Sequence, residues 1–238
     1  MRAKAKQQLE LPTPPTWGGR RCGAGRKPGL GRPTMPHDRR PEHQARQPVQ
    51  VTLRVVANAP SLRSSTVFPA VRRAISRSSK AAFRVIHFSA QQDHAHLIVE
   101  AESRAALRSG VQGLAIRIAL AVNKLLGRRG RLWGDRYHAR ALETPREVRA
   151  SMVYVLLNFR KHLRAPPAVD PRSSGAHFDG WARRLARASG ASPVRPPSTW
   201  LGRFGWLRGG GPIDVREHPA GTARLFRCPS RETRRRRE

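Results

Sequence analysis

The chain has 238 residues, which is enough for one ordinary domain with extensions or for two small domains. Its 47 lysines and arginines outnumber 15 acidic residues and give a formal net charge of +32, which attracts polyanions such as nucleic acid. Two cysteines, Cys22 and Cys228, argue against a disulfide framework or a cysteine-based zinc site, and no run approaches the roughly eighteen apolar residues of a membrane span. We therefore expect a cytoplasmic, nucleoid-associated protein with no membrane partner.

The first part of the chain changes character at Val49. Residues 1–47 are rich in Gly, Pro and Arg without apolar periodicity and predict a disordered basic extension. From Val49, "VQVTLRVVA" alternates apolar and polar residues and predicts a strand. A helix is predicted over 65–79 from four apolar residues at helical spacing, Val67, Val71, Ala74 and Ile75. "AAFRVIHFSA" and "HAHLIVEA", separated by "QQD", predict a β-hairpin.

A long helix follows the hairpin and is expected to begin at the N-cap Ser103. Its apolar stripe consists of Leu107, Val111, Leu114, Ile118, Val122 and Leu125. "RLWGDRYHARAL" predicts a fourth strand, and "TPRE" at Thr144–Glu147 is a capping box that begins a last helix. The order β-α-β-β-α-β-α predicts an α+β, ferredoxin-like split βαβ domain over 48–164, with a four-stranded antiparallel sheet and an added C-terminal helix. Residues 165–238 predict a Pro-, Gly- and Arg-rich, partly irregular extension.

Two histidines stand one residue apart in the strand "HAHLIVEA". Alternate side chains of a strand share a face, so His94 and His96 point the same way while Ala95 points to the other face. Each buried imidazole has two polar nitrogens that need partners. Such a pair is either a bidentate ligand for a divalent metal or two hydrogen-bonded histidines on a sheet face. The pair alone does not choose between them.

The last helix carries a polar stripe that is separate from its apolar one. Val148, Met152, Val155, Phe159 and Leu163 share the apolar face, whereas Tyr154 falls with Glu147, Ser151, Asn158 and Lys161. Tyr154 and Asn158 are four residues apart and therefore neighbours on the helix surface. In isolation this tyrosine could simply fill an amphipathic helix.

Together the two motifs resemble the single-tyrosine HUH transposases, in particular the REP-associated tyrosine transposases and related insertion-sequence transposases. The resemblance covers Val49 to Arg164 and includes "DHAHLIVEA", "LWGDRYHARAL" and "YVLLNFRKH" in the family's order. It implies that Tyr154 is the nucleophile and that His94, His96 and Asn158 hold Mg²⁺ or Mn²⁺.

The resemblance also implies a reaction and a substrate. Tyrosine attacks a phosphodiester of single-stranded or hairpin DNA and forms a 5′-phosphotyrosine, which another 3′-hydroxyl can reverse, so nicking leads to strand transfer. A homodimer is compatible with it. Ala95 is smaller than the usual residue between the two histidines.

Other residues and other functions remain open at this stage. Tyr137, the second of two tyrosines, is expected to pack or to contact substrate, His87 to lie in the core or on a sheet face, His138 to contact phosphate and Trp133 to stack with bases. The rival functions are a non-catalytic nucleic-acid-binding protein of the same fold and a domesticated transposase. The strands lack the aromatic motif of RNA-recognition domains, which weighs against the first rival.

Overall fold

A computed structural model describes residues 42–160, 168–183, 185 and 189–219. All described residues belong to one compact unit within residues 35–238. Most of the predicted N-terminal extension, both cysteines, Lys161 and Leu163 lie outside the described residues. Four strands and three helices then follow in the predicted order. They are β1 (Val49–Arg54), α1 (Phe68–Ser76), β2 (Phe83–Ala90), β3 (His94–Ala101), α2 (Arg104–Leu125), β4 (His138–Ala141) and α3 (Pro145–Leu157).

The four strands form one antiparallel sheet in the order β2-β3-β1-β4. This arrangement confirms the predicted α+β, ferredoxin-like split βαβ fold. The register aligns one polar row across the sheet, in which Thr52 of β1 pairs with His96 of β3 and with His138 of β4, and His96 pairs with Ser89 of β2.

Both faces of the sheet are buried, which is why every residue of β3 is buried. Helices α1 and α2 cover one face, and the α2 stripe of Leu107, Val111, Leu114, Ile118 and Val122 packs there. On the other face, α3 packs over Ile86 and Ile98 together with residues of the C-terminal part of the chain. Helix α2 has the length and apolar composition of a membrane-spanning helix, but its stripe lies against the sheet.

Two element boundaries differ from the sequence prediction. The predicted fourth strand is interrupted: continuous pairing is limited to His138–Ala141, and Trp133 forms only an isolated antiparallel bridge with Val55. The Trp133 indole N–H donates to the Ala115 carbonyl in α2. Helix α3 begins at the predicted capping box of Thr144 and Glu147 but ends at Leu157. Asn158 is therefore the C-cap of α3 rather than an interior residue.

The described residues between 168 and 219 pack against the domain. Asp170 is fully buried and makes two hydrogen bonds of 2.8 Å with the Arg63 guanidinium. Farther along, a short helix α4 (Trp200–Arg203) and a 3₁₀ turn (Gly205–Gly209) lie beside α3, and Arg149 of α3 pairs with Glu217. The described C-terminal residues are thus an integral layer on the α3 side of the sheet.

Candidate active site on the histidine face of the sheet

The polar stripe of α3 faces the sheet rather than solvent. The Ser151 hydroxyl donates to Gln50 of β1 at 2.9 Å, and Tyr154, one turn farther, reaches His96. Because C-terminal residues such as Trp206 cover α3 as well, the helix is buried on its apolar stripe and on its polar stripe. Of the predicted polar stripe, Ser151, Tyr154 and Asn158 are buried inside the protein, whereas Lys161 lies outside the described residues.

His94, His96 and Tyr154 form a compact cluster. The ring centroids of His94 and His96 are 4.5 Å apart, and those of His96 and Tyr154 are 4.8 Å apart. The Tyr154 hydroxyl oxygen lies 3.1 Å from Nε2 of His96, which is hydrogen-bonding distance. The three residues are 5%, 3% and 7% exposed, respectively, so their polar atoms interact in a water-poor environment. The structure therefore brings these three predicted site residues together.

Each histidine is oriented by an oxygen atom at Nδ1. Nδ1 of His94 lies 2.6 Å from Oδ1 of Asp93, and Nδ1 of His96 lies 3.0 Å from Oγ1 of Thr52. Burial raises the pKa of Asp93, but the hydrogen bond and charge of His94 and the charge of Arg54 more than offset it, and the pKa falls below its usual value. Asp93 is therefore an ionised acceptor that holds the His94 ring in one orientation. With both Nδ1 atoms engaged, the rings would coordinate a metal ion through Nε2.

The hydrogen bonds at Nδ1 of His94 and His96 are of the kind that metal-binding histidines make. Metal-binding histidines commonly have their second nitrogen hydrogen-bonded to a carboxylate or another oxygen, as Asp93 and Thr52 do here. Within the described ranges, no group of three or more His, Cys, Asp or Glu side chains is placed to hold a metal ion. A third donor from the described residues would then be of another type, and the amide of Asn158, fully buried one turn beyond Tyr154, is of that type.

The remaining candidate residues divide between the two faces of the sheet. Tyr137 packs against the α1–α2 core, on the face opposite Tyr154. His138 occupies the same row as His96, two strands away, or about 10 Å at the usual strand spacing. Trp133 also packs against the α1–α2 core, and its indole N–H is bonded to α2. Its predicted role as a stacking platform finds no support in that position.

His87 is a structural residue of the core. Its Nδ1 lies 3.4 Å from the Ser174 hydroxyl, and its ring meets Phe178 edge to face. Burial lowers the pKa of His87 to about 4, and the opposing charge of Asp179 is too weak to prevent this. His87 is therefore neutral at physiological pH. This agrees with the expectation of a core or sheet-face residue.

Of the two residues that orient the histidines, one can be recognised from the sequence and the other cannot. Asp93 directly precedes His94, so its place beside the ring was already visible in the sequence. Thr52 lies 44 positions from His96 and becomes its neighbour only through strand register. The pairing of β1 with β3 is needed to find it.

The chain was compared with protein families, curated proteins and solved structures. No family model matches the chain, and no curated protein is similar enough to count as a match. Among solved structures, a REP-associated tyrosine transposase bound to a REP hairpin is similar over 54% of this chain and 74% of that chain, with 18% sequence identity and a TM-score of 0.45. The fold assignment rests on the strand order. Fold and site together define an α+β domain with a histidine–tyrosine cluster on one face of its sheet.

Proposed function

We propose that this chain is a metal-dependent nickase and strand transferase, a transposase-like enzyme that acts on single-stranded or hairpin DNA. The observation that carries the proposal is the hydroxyl of Tyr154, 3.1 Å from Nε2 of His96, with the His94 ring adjacent. A tyrosine that only filled the core would need one hydrogen-bond partner of any kind. Here that partner is the Nε2 of His96, whose ring is oriented by Thr52 and lies beside the His94 ring, which Asp93 orients.

Tyr154 would supply the nucleophile. Its phenol oxygen attacks phosphorus after losing its proton, the bond from phosphorus to the 3′-oxygen breaks, and that oxygen takes up a proton to become a 3′-hydroxyl. The product is a 5′-phosphotyrosine, which keeps the energy of the cleaved linkage. A second 3′-hydroxyl reverses the same exchange and joins a new strand without a nucleotide cofactor.

His94, His96 and Asn158 would hold the metal ion. A divalent ion, Mg²⁺ or Mn²⁺, would supply positive charge to a non-bridging phosphate oxygen as negative charge builds up there. Asp93 and Thr52 act on the rings and not on substrate, so they are positioning residues. Because Tyr154 is 7% exposed, DNA reaches the phenol only after the groups around it move.

The charge of the protein supports a DNA substrate. A net charge of +32 favours association with phosphates through counterion release, and single strands contribute a salt slope of about −0.7 per neutralised phosphate. Binding that does not weaken with salt would remove this support.

Covalent capture tests the proposal directly. End-labelled hairpin DNA is incubated with the protein and Mg²⁺ or Mn²⁺ and resolved by denaturing electrophoresis, and label that migrates with protein reports the adduct. Tyr154→Phe removes only the hydroxyl and should abolish the adduct while DNA binding persists. Tyr137→Phe is the matched control, because Tyr137 lies on the other face of the sheet and is the second of two tyrosines in the chain.

Each result of this experiment has one meaning. An adduct that survives Tyr154→Phe but not Tyr137→Phe would move the nucleophile to Tyr137. No adduct with any substrate or metal would favour the non-catalytic nucleic-acid-binding protein. A domesticated transposase would still form the adduct, and the absence of palindromic or inverted repeats beside its gene would distinguish it from a mobile enzyme.

A further inference from the structure

A second charged surface lies away from the histidines, where residues 195–208 pack near the start of β2. We call it the arginine–aromatic surface. Its members are Lys80, Arg84, Arg195, Arg203, Arg208, Trp200 and Phe204. Arg84 is half-buried and the other six are exposed. The proposed chemistry at Tyr154 uses none of them.

The basic side chains of this surface surround open space. A cavity of about 620 Å³ is lined by Lys80, Arg84, Arg195 and Arg203, and no carboxylate of the described residues lines it. A second cavity of about 430 Å³ shares Arg195 and Arg203, and its lining includes Phe204 and one acid, Asp179. The larger of these two open depressions is therefore lined by basic and neutral residues only, and an aromatic ring lines its neighbour.

Glu100 of β3 is the cross-strand partner of Arg84 in the sheet register, but it forms no ion pair with it. Glu100 is buried under residues 198–199, and its carboxylate accepts hydrogen bonds from the backbone N–H and hydroxyl groups of Ser198 and Thr199. None of the five cations forms an ion pair with any residue in the described part of the chain. Their charge is thus directed to solvent or to a ligand.

Two aromatic rings are exposed beside the cations. Trp200 is 49% and Phe204 is 56% exposed, although both could contribute to the core of a small layer like this one. The Arg208 guanidinium lies 5.3 Å from the Trp200 ring centroid, and that of Arg203 lies 5.1 Å from the Phe204 ring centroid. Proteins that bind single-stranded nucleic acids combine exposed aromatic rings with arginines. The arginines contact the phosphates and the bases stack on the rings.

We propose that the arginine–aromatic surface binds a single-stranded stretch of nucleic acid, with phosphates in the cavity beside Arg195 and Arg203 and a base stacked on Phe204. Unpaired bases are needed because a duplex keeps its base faces inside the stack. An acidic protein segment would match the charge but would offer no flat faces to the exposed rings.

The position of the surface relates it to the histidine site. Glu100, beneath the surface, and His96 lie on the same face of β3, four residues apart, which is about 13 Å at 3.3 Å per residue. A stacked strand that rises about 3.4 Å per nucleotide covers that distance with about four nucleotides, and an unstacked strand needs fewer. One part of this inference rests on the proposed function, namely that the bound strand is the DNA flanking the cleaved position. The preference for a single strand does not depend on it.

The test uses the full chain carrying Tyr154→Phe, without metal, so that binding is measured apart from chemistry. Fluorescence anisotropy compares a blunt hairpin with the same hairpin bearing an arm of unpaired nucleotides, across a range of salt concentrations. Phe204→Ala should weaken binding of the armed hairpin at least about five-fold without changing the salt slope. Arg195→Ala with Arg203→Ala should reduce the salt slope by about 1.4, which corresponds to two phosphates.

Matched controls come from α2, which lies on the other face of the sheet. Leu120 is 65% exposed and Arg108 is exposed, so Leu120→Ala and Arg108→Ala remove similar groups elsewhere and should leave the binding of the armed hairpin within about two-fold. Phe204→Ala with parental affinity would overturn the proposal. An equal loss on the blunt hairpin, or polyglutamate that competes in a Phe204-dependent manner, would overturn it in favour of a duplex or a protein partner.

The outcome is separable from that of the proposed function. If no adduct forms with the unmodified protein but Phe204→Ala still weakens arm-dependent binding, the surface stands and the nickase proposal fails. If the adduct forms but Phe204→Ala and the arginine variants bind like the parent, the nickase proposal stands and this surface has another use.

Discussion

Removing the hydroxyl of Tyr154 should tighten metal binding even as it abolishes the adduct. His96 Nε2 has one lone pair, and in the tautomer protonated at Nδ1 it accepts the Tyr154 hydroxyl at 3.1 Å. If a metal ion coordinates the same nitrogen, this hydrogen bond is lost. A buried hydrogen bond contributes about 1 kcal/mol net, so Tyr154→Phe, which has no such bond to break, should bind Mn²⁺ about five-fold more tightly.

Isothermal titration of the DNA-free protein with Mn²⁺ measures this affinity without any reaction. Tyr137→Phe should match the parent, and His96→Ala should bind much more weakly because a ligand is lost. Equal or weaker Mn²⁺ binding by Tyr154→Phe would show that the ion does not compete for Nε2 of His96. The three-ligand proposal for His94, His96 and Asn158 would then be wrong.

Two further predictions concern the layer that supports the site. Burial lowers the pKa of His87 from 6.5 to about 4, so the unfolded state binds more protons between these values and stability should fall as pH drops through this window. At pH 5 the loss is about 2 kcal/mol relative to pH 8, and urea denaturation of His87→Asn should lack this component, whereas an unchanged pH dependence would contradict it. Asp170→Asn should cost about 3–5 kcal/mol because it leaves the Arg63 guanidinium, 12% exposed, without its counter-charge. Arg54→Gln, which breaks a half-exposed ion pair with Asp93, should cost less than about 1 kcal/mol by the same assay, and equal costs would refute the argument from burial.

The order of helices and strands could be predicted from the sequence because apolar residues recur at helical or strand spacing. Helix α2 shows its buried stripe directly in the spacing of its apolar residues, and α3 begins at the capping box that "TPRE" encodes. The predicted fourth strand was too long because its pairing is interrupted between Trp133, which forms an isolated bridge with Val55, and His138, while the Trp133 indole is bonded to α2. Such a bond leaves no periodic trace in the sequence.

The candidate site was predictable only in part for a similar reason. Strand alternation placed His94 and His96 on one face, and the helical wheel grouped Tyr154 with Asn158. That these two groups meet depends on α3 folding over that face, which the resemblance implied and composition did not. The roles assigned to these residues stay predictions. The sequence alone could not identify Thr52, because its contact with His96 depends on the register of β1 against β3. Asp170 and Ser174 could not be identified either, because their contacts join residues more than eighty positions apart.

The C-terminal layer also determines how the sheet meets other molecules. Along the outer side of β2, Ala90 N–H donates to the Arg172 carbonyl, Ser174 N–H to that of Phe88, and Arg195 N–H to that of Val85. These bonds occupy donors and acceptors that an open edge strand would present as a template for another chain. The irregular segment thus covers the β2 edge and prevents it from pairing with the edge strand of another molecule. The backbone hydrogen bonds named here on the outer side of β2 are made within the same chain.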